Sequence, residues 1–390
     1  MALINSRSLS VTGSRFRAVY HIRGDAQTAK MRAEDICIEE TIEYPPELIP
    51  EGGIREHVFG RVEAFDQLAT GEFRAVISYA DEITGFELPQ LLNVLFGNIS
   101  MKPGIRLVAV DLSASLLAHF RGPRFGIRGL REILGIARRP LLCTATKPMG
   151  LAPAELAALA YQLALGGVDI IKDDHGLANQ PFAPFTERVL RTCEAIQNAN
   201  ARTGGNTIYL PNVTGPLEIM LERIQFSRAA GAGGIMLIPG YCGVDFMRRV
   251  ADDDSISLPI MSHPAFIGSY VLSAEFGISH RVLHGSLMRL AGADLTIFPN
   301  YVGRFSSYTR HDCREIVRGC TESMGNFPAI FPAPGGGISK DAFADMIQVY
   351  GRDVAFLMSS NLHRNSPDLA TTVRSYRETL ERISEYTHRH

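Results

Sequence analysis

From about residue 125 onward the chain repeats one unit, a short apolar run followed by a longer amphipathic segment. Eight such runs read as strands: "LLCTATK" (141–147), "VDIIKDD" (168–174), "TIYLPNV" (207–213), "GIMLIP" (234–239), "LPIMSHP" (258–264), "DLTIFP" (294–299), "PAIFPAP" (328–334) and "VAFLMSS" (354–360). Segments such as "PAELAALAYQLAL" (153–165) and "PLEIMLERIQFSRAA" (216–230) have helical spacing between them, and glycines mark the helix ends at 166–167, 231–234 and 292. Eight strand–helix units in about 260 residues are the size of a (β/α)8 or TIM barrel. A doubly wound open sheet is the alternative, but no G-x-G-x-x-G follows the first strand. The charged amphipathic segment from Ser366 to His390 reads as a helix closing the outer ring.

The residues before the barrel follow another order. Strands are predicted at 16–24, 57–66, 73–80 and 105–113, with helices at 26–41 and 88–98. The order βαββαβ is the split-βαβ, ferredoxin-like arrangement. The chain is therefore expected to divide into an N-terminal α/β domain (1–125) and a C-terminal barrel (126–390). A formal net charge of −2 argues against a nucleic-acid partner. No run reaches the roughly 18 apolar residues that span a bilayer, and no signal-peptide core opens the chain, so no membrane partner and a cytoplasmic location are expected. The six cysteines form no C-x-x-C pair and read as reduced thiols.

Barrel enzymes build their sites at the C-terminal ends of the strands. Those ends carry Thr146 and Lys147, then Lys172, Asp173, Asp174 and His175, then Asn212 and Thr214, then Ser262 and His263. The seventh strand runs into Gly335, Gly336 and Gly337, and the eighth ends in Ser359, Ser360 and Asn361. A buried polar side chain without a partner costs on the order of 1–3 kcal/mol, so such a set calls for a shared ligand or for mutual pairing. Alternation sends Lys172 and Asp174 to one side of the strand and Asp173 to the other. Asp174 and His175 can hold a divalent cation, and Lys172 joins them only if CO2 converts its amine to a carbamate. Carboxylate ligands suit Mg2+, and an imidazole moves the preference toward Mn2+ or Zn2+. The simpler reading is a salt-bridge cluster at the barrel rim. The "GGGI" run is either a tight turn or a cradle of backbone N–H groups for a phosphate. His263 is either a core histidine or part of the site.

These motifs resemble the large subunit of ribulose bisphosphate carboxylase (RuBisCO), and more closely the RuBisCO-like, form IV proteins. "GGVDIIKDDHGLANQPF" (166–182) is similar to that family's second-strand motif, Gly-Gly-x-Asp-x-x-Lys-Asp-Asp-Glu followed by Asn-x-Gln-Pro-Phe. "RPLLCTATKPMGL" (139–151), "FRGPRFGIRGLREIL" (120–134), "FGN" (96–98) and "GGGI" (335–338) resemble four further family segments. The resemblance implies a carbamylated, metal-binding Lys172, Asp174 and His175 as further metal ligands, and Lys147 as the proton-transferring lysine. It implies His263 as an active-site histidine, and a phosphate site of Gly336, Gly337, Ser359 and Ser360. It also implies a homodimer or dimer-based oligomer in which Asn98 and Glu39 reach the partner's site.

The departures bear on the reaction. His175 stands where the family has a metal-binding glutamate. Pro264 and Ile267 stand where the carboxylase has an arginine and a histidine for a second phosphate, and Met149 and Gly150 where it has a second lysine. Arg304 lies near the position of the mobile-loop lysine and can hold an anion of the substrate, and the candidate base is Lys147 or the Lys172 carbamate. One phosphate site remains, so CO2 fixation on a bisphosphate is not expected. The expectation is Mg2+-assisted enolisation of a phosphorylated ketose or keto sugar acid. Within the resemblance the candidates are 5-methylthioribulose-1-phosphate isomerase and 3-oxo-isoapionate-4-phosphate transcarboxylase/hydrolase. The 2,3-diketo-5-methylthiopentyl-1-phosphate enolase of methionine salvage is an alternative that His175 disfavours. A non-catalytic regulatory or binding protein that keeps the fold is the alternative of another class.

Overall fold

Long alternating segments and short, wholly apolar runs fold into two different sheets in the computed structural model, which describes residues 9–49, 51–303, 305, 307–358, 361–362 and 368–386. The first contains β1 (Arg15–Arg23), β2 (Arg61–Ala69), β3 (Glu72–Ala80) and β4 (Ile105–Asp111), with helices Ala26–Glu39 and Leu88–Phe96 in the βαββαβ order. Phe16, Ala18, Tyr20 and Ile22 of β1 are buried, as the alternation requires. β2 starts later than the sequence predicts, because Ile54–Val58 forms a helical turn. The Arg15 side chain holds that stretch by donating to the carbonyls of His57 and Phe59, each at 3.1 Å.

The barrel strands begin with β5 (Leu141–Thr146), β6 (Ile170–Asp173), β7 (Ile208–Leu210), β8 (Ile235–Leu237) and β9 (Ile260–Ser262). The next strand, β10 (Gly277–Ile278), pairs in parallel with β4 and extends the first sheet to five strands. β11 (Leu295–Pro299), β12 (Phe331–Gly335) and β13 (Ala355–Met358) complete the barrel. The eight barrel strands are parallel, in the order β7-β6-β5-β13-β12-β11-β9-β8, and an Asn212–Met236 bridge joins the two ends. The fold is a split-βαβ domain followed by a (β/α)8 barrel. Two compact units result: Met1–Arg121 with Ile267–Ser286 and Met324–Asn326, and the barrel Gly122–Phe266, Leu287–Ser323 and Phe327–His390. The segment after β9 thus belongs with the first sheet, which strand-by-strand counting did not anticipate.

The barrel interior is filled by Leu141, Cys143, Ile170, Leu210, Met236, Met261, Leu295, Ile297, Phe331, Ala333 and Ala355. Leu130 and Leu134 of helix Gly126–Leu134 join this core. The buried Asp294 carboxylate accepts the N–H groups of Phe125 and Gly126 at 2.8 and 2.7 Å, fixing the start of that helix. All six cysteines are free thiols. No helix among the described residues is long and apolar enough to cross a membrane.

Candidate active site

Parity with the core identifies the groups that face the barrel mouth. Ile170 packs in the interior, Lys172 shares its side, and Asp174 follows as β6 ends. Leu141 and Cys143 lead in the same way to Lys147, and Met261 leads to His263. The contacts agree. Lys147 Nζ lies 2.9 Å from Asp174 Oδ1, and His175 Nδ1 lies 3.4 Å from the same oxygen. The His175 and His263 rings stack with centroids 4.6 Å apart. Lys147, Lys172, Asp174, His175 and His263 therefore form one cluster, drawn from three strands.

Lys172 is 2% exposed, and its amine donates to the carbonyl of Asp173 at 2.9 Å. Burial lowers its pKa to about 8; Asp174 opposes the shift and Lys147 adds to it. At pH 7 about a tenth of such an amine is neutral and nucleophilic. Burial alone would raise Asp174, but hydrogen bonds from His175 and Lys147, with the charges of Lys147 and Lys172, hold its carboxyl well below the usual range. Burial, with the charges of Lys172 and His175, lowers His263 to about 2, so its ring is neutral. Its Nδ1 accepts the N–H of Ala265 at 3.2 Å, which leaves the proton on Nε2.

In place of the alternative reading, a rim salt bridge of Lys172, the aspartates make two other pairs, Lys147–Asp174 and Arg188–Asp173. Asp173 points out of the barrel, as alternation requires. Its carboxylate accepts from Tyr209 Oη at 2.6 Å, Asn212 N at 3.0 Å and Arg188 Nε at 3.2 Å. Arg188, fully buried, also donates to the carbonyls of Ala183 and Ala178, each at 2.9 Å. Asn212 Nδ2 holds the carbonyls of His175 and Leu177 at 3.1 and 2.8 Å. Gln180 binds Gly176 O at 2.7 Å and Asn179 Oδ1 accepts Phe185 N at 2.8 Å. The "NQPF" motif and Arg188 thus brace the loop that presents Asp174 and His175. Sequence reasoning missed Arg188; the available signal was a charged residue in the buried stripe Phe185, Arg188, Val189, Thr192. Thr214 and Ser262 serve the scaffold: Thr214 Oγ1 accepts Ile238 N at 2.9 Å and Ser262 Oγ donates to Leu295 O at 3.5 Å.

The glycine loop after β12 requires its glycines. Gly336 and Gly337 have φ of +97° and +69°, and a Cβ on Gly337 would lie 2.3 Å from the carbonyl oxygen of Val302. Asn300 fixes the loop: its N–H donates to Gly335 O at 3.0 Å and its Nδ2 to Gly336 O at 3.2 Å. Asn361 Nδ2 donates to Ile338 O at 2.7 Å. Arg304, Ser359 and Ser360 lie outside the described residues. In the other unit, Asn98 Nδ2 donates to Glu43 at 3.1 Å, and Glu39 pairs with Lys102 at 3.0 Å. The carboxylate that holds the Asn98 turn is that of Glu40, which accepts Ile99 N at 2.7 Å and Gly97 N at 3.3 Å. Burial raises Glu40 to about 7.

Asp174 and His175 supply two metal-binding side chains, and no group of three or more His, Cys, Asp and Glu converges among the described residues. The donor set fits a divalent cation if Lys172 becomes a carbamate or the substrate adds oxygens. A cavity of about 270 Å3 sits beside helix ends at Gly135, Gly167 and Gly204, lined by Arg139 and Asp169. It lies at the start of the strands, away from the cluster, and Asp169 is committed there to a bidentate pair with Arg139.

A family model described as ribulose bisphosphate carboxylase large chain, catalytic domain, matches residues 126–383. Ribulose bisphosphate carboxylase-like protein 1 of Rhodopseudomonas palustris is 38% identical over 89% of this chain and 92% of that protein. The 5-methylthioribulose-1-phosphate isomerase of Rhodospirillum rubrum is 35% identical over 89% of this chain and 91% of its own. A 2,3-diketo-5-methylthiopentyl-1-phosphate enolase of Geobacillus thermodenitrificans is 32% identical over 87% and 85%. Among solved structures, a Rubisco-like protein from Rhodopseudomonas palustris superimposes with a TM-score of 0.84 at 37% identity, covering 94% of this chain and 97% of that one. A dimeric archaeal Rubisco from Hyperthermus butylicus does so with 0.84 at 26% identity, covering 97% and 92%.

Proposed function

The chain belongs to the ribulose bisphosphate carboxylase large-chain family, and from that premise we propose that it is a RuBisCO-like enzyme that enolises a phosphorylated ketose or keto sugar acid without fixing CO2. The observation that carries this reading is the Lys147–Asp174–Lys172 cluster at one wall of the mouth, with a glycine loop at another. Isomerisation of 5-methylthioribulose-1-phosphate is supported by the 35% identical relative of that name. Turnover of 3-oxo-isoapionate-4-phosphate is the second candidate that the resemblance implies.

In this reading Asp174, His175 and a carbamate on Lys172 would hold Mg2+, or Mn2+ given the imidazole. Bound there, the cation supplies Lewis-acid polarisation of the substrate carbonyl. The carbamate forms when the neutral Lys172 amine adds to CO2, making an N–C bond and releasing one proton. Lys147 stands 2.9 Å from Asp174 Oδ1, at the place where this reading puts the substrate carbonyl. Released from Asp174 when a cation takes that oxygen, and having given up its own proton to solvent, the neutral Lys147 amine would take the carbon-bound proton and return it to a neighbouring carbon in an isomerisation. The N–H groups of Gly336 and Gly337 anchor the phosphate and orient the carbon skeleton. In this reading the assembly is a homodimer or is built from dimers, with Asn98 and Glu39 facing the partner's mouth.

Proton NMR in D2O with Mg2+, on a panel of ketose monophosphates including both named substrates, tests the reading. Deuterium next to the carbonyl is the expected result. Bound metal with no exchange on any member would overturn it, and no metal binding would favour the non-catalytic alternative. Gly337→Ala is expected to raise the KM for the phosphorylated substrate roughly tenfold. The 1–2 kcal/mol cost of a left-handed non-glycine residue corresponds to that factor. Divalent-cation affinity, read by calorimetry, should not change.

A further inference from the structure

The glycine loop after β12 divides its polar groups unevenly: carbonyls are taken while N–H groups stay open. Gly336 O accepts Asn300 Nδ2 at 3.2 Å, and Ile338 O accepts Asn361 Nδ2 at 2.7 Å. Among the described residues nothing accepts the N–H groups of Gly337 and Ser339, which follow those two carbonyls in the chain. A trans peptide unit is planar, and its C=O and N–H point in opposite directions. Each asparagine therefore turns one N–H away from itself, Asn300 that of Gly337 and Asn361 that of Ser339. Open backbone N–H groups gathered on one loop are what an anion such as a phosphate requires.

The glycines themselves do not fix this direction. Gly336 and Gly337 sit at positive φ, where glycine turns freely. Asn300 supplies the constraint, and it is held from behind in turn. It is fully buried, and Gly336 O can only accept, so Nδ2 faces the loop and Oδ1 faces Tyr350. Tyr350, at the end of the helix Phe343–Tyr350, donates its Oη to that Oδ1 at 2.7 Å. The hydroxyl thus keeps the amide in the one orientation that can donate to Gly336. Residues 300–303 also pack closely on the loop: a Cβ on Gly303 would lie 3.0 Å from Asn300 O and 3.5 Å from Gly335 O. A second tie, Tyr301 Oη to Asp345 at 2.7 Å, joins the same segment to the same helix and makes no hydrogen bond to the glycine loop.

We propose that Asn300, oriented by Tyr350, is the positioning residue that aims the Gly337 N–H at the substrate's phosphate, with Asn361 aiming that of Ser339. The inference rests on the reading of the glycine loop as the phosphate site. Calorimetry with inorganic phosphate on the full chain tests it. Asn300→Leu combined with Tyr350→Phe replaces both partners of a buried hydrogen bond by apolar side chains of similar shape, so the fold should be kept while the donor to Gly336 is lost. Phosphate affinity is expected to fall roughly tenfold or more. The KM of the ketose phosphate that exchanges deuterium should rise with it, while kcat and Mg2+ affinity change less than about twofold. Asn300→Asp gives a second readout. A carboxylate there repels Gly336 O, whereas the protonated acid donates to it as the amide does. Its phosphate affinity relative to the wild type should recover as the pH falls from about 8 to about 5.5, since burial favours the protonated acid. Tyr301→Phe, which cuts only the neighbouring tie, should leave phosphate affinity and KM unchanged. An unchanged affinity in the double variant, a ratio for Asn300→Asp that ignores pH, or an equal loss in Tyr301→Phe would overturn the inference. Phosphate binding weakened by Gly337→Ala and untouched by the Asn300 variants would leave the loop as the phosphate site and remove Asn300 from it. No phosphate binding by the wild type would remove the phosphate-loop reading and the inference together.

Discussion

Lys147→Ala is expected to lower the rate of deuterium incorporation next to the substrate carbonyl by about 10^2–10^4-fold, the usual contribution of a positioned proton-transfer group. Lys147 is the most accessible cation of the cluster, 39% exposed, and it is held 2.9 Å from Asp174. That contact makes a second effect separable from the first. Without a cation, the Lys147 ammonium occupies the oxygen that a divalent ion would use, so metal binding must displace it. Lys147→Ala should therefore bind Mg2+ or Mn2+ at least as tightly as the wild type while losing exchange. Lys172→Ala should lose both, because it removes the carbamate oxygen. A Lys147→Ala protein that exchanges deuterium at the wild-type rate would transfer the proton role to Lys172. Calorimetry and NMR on the same preparations distinguish the outcomes, and the KM of residual turnover should change little if Lys147 acts on the proton alone.

The barrel was legible because its eight strands are short, apolar and regularly spaced, and because polar residues in such strands collect at one end. Alternation alone sent Lys172 inward and Asp173 outward, and the Arg188–Asp173 pair follows that division. What closed the pairing was not legible: Arg188 lies on the following helix, and no local period relates it to Asp173. The return of residues 277–278 to the first sheet was hidden for a similar reason. A two-residue strand has no periodicity to read, and its pairing with β4 spans about 170 positions. Near Asn98, two adjacent glutamates are indistinguishable by pattern. Burial separates them, since Glu40 turns in to the backbone of Gly97 and Ile99 while Glu39 meets Lys102.

The two buried cations beside β6 are expected to respond in opposite directions when replaced by methionine. Arg188→Met removes the partner of a carboxylate that is itself fully buried, and breaking such a pair costs about 3–5 kcal/mol. Its hydrogen bonds to Ala178 and Ala183 are lost as well, so the loop carrying Asp174 and His175 should loosen and metal affinity fall. Lys172 is different, because its pKa is lowered to about 8 from an ordinary 10.5. The native state below pH 8 must bury an ammonium that the unfolded chain keeps in water. That penalty is fully present below pH 8, shrinks as the pH rises from 8 to 10.5, and is absent above it. Lys172→Met should stabilise the metal-free protein at pH 7 by up to about 3 kcal/mol, with the gain vanishing toward pH 10.5. Urea titrations of both variants at pH 7 and 9.5 read these effects. If Lys172→Met destabilised the fold as Arg188→Met does, Lys172 would be a structural cation and the carbamate reading would fail. The expected contrast identifies Lys172 as a residue kept at the expense of stability, which is the relation between fold and function anticipated for a group held ready to react.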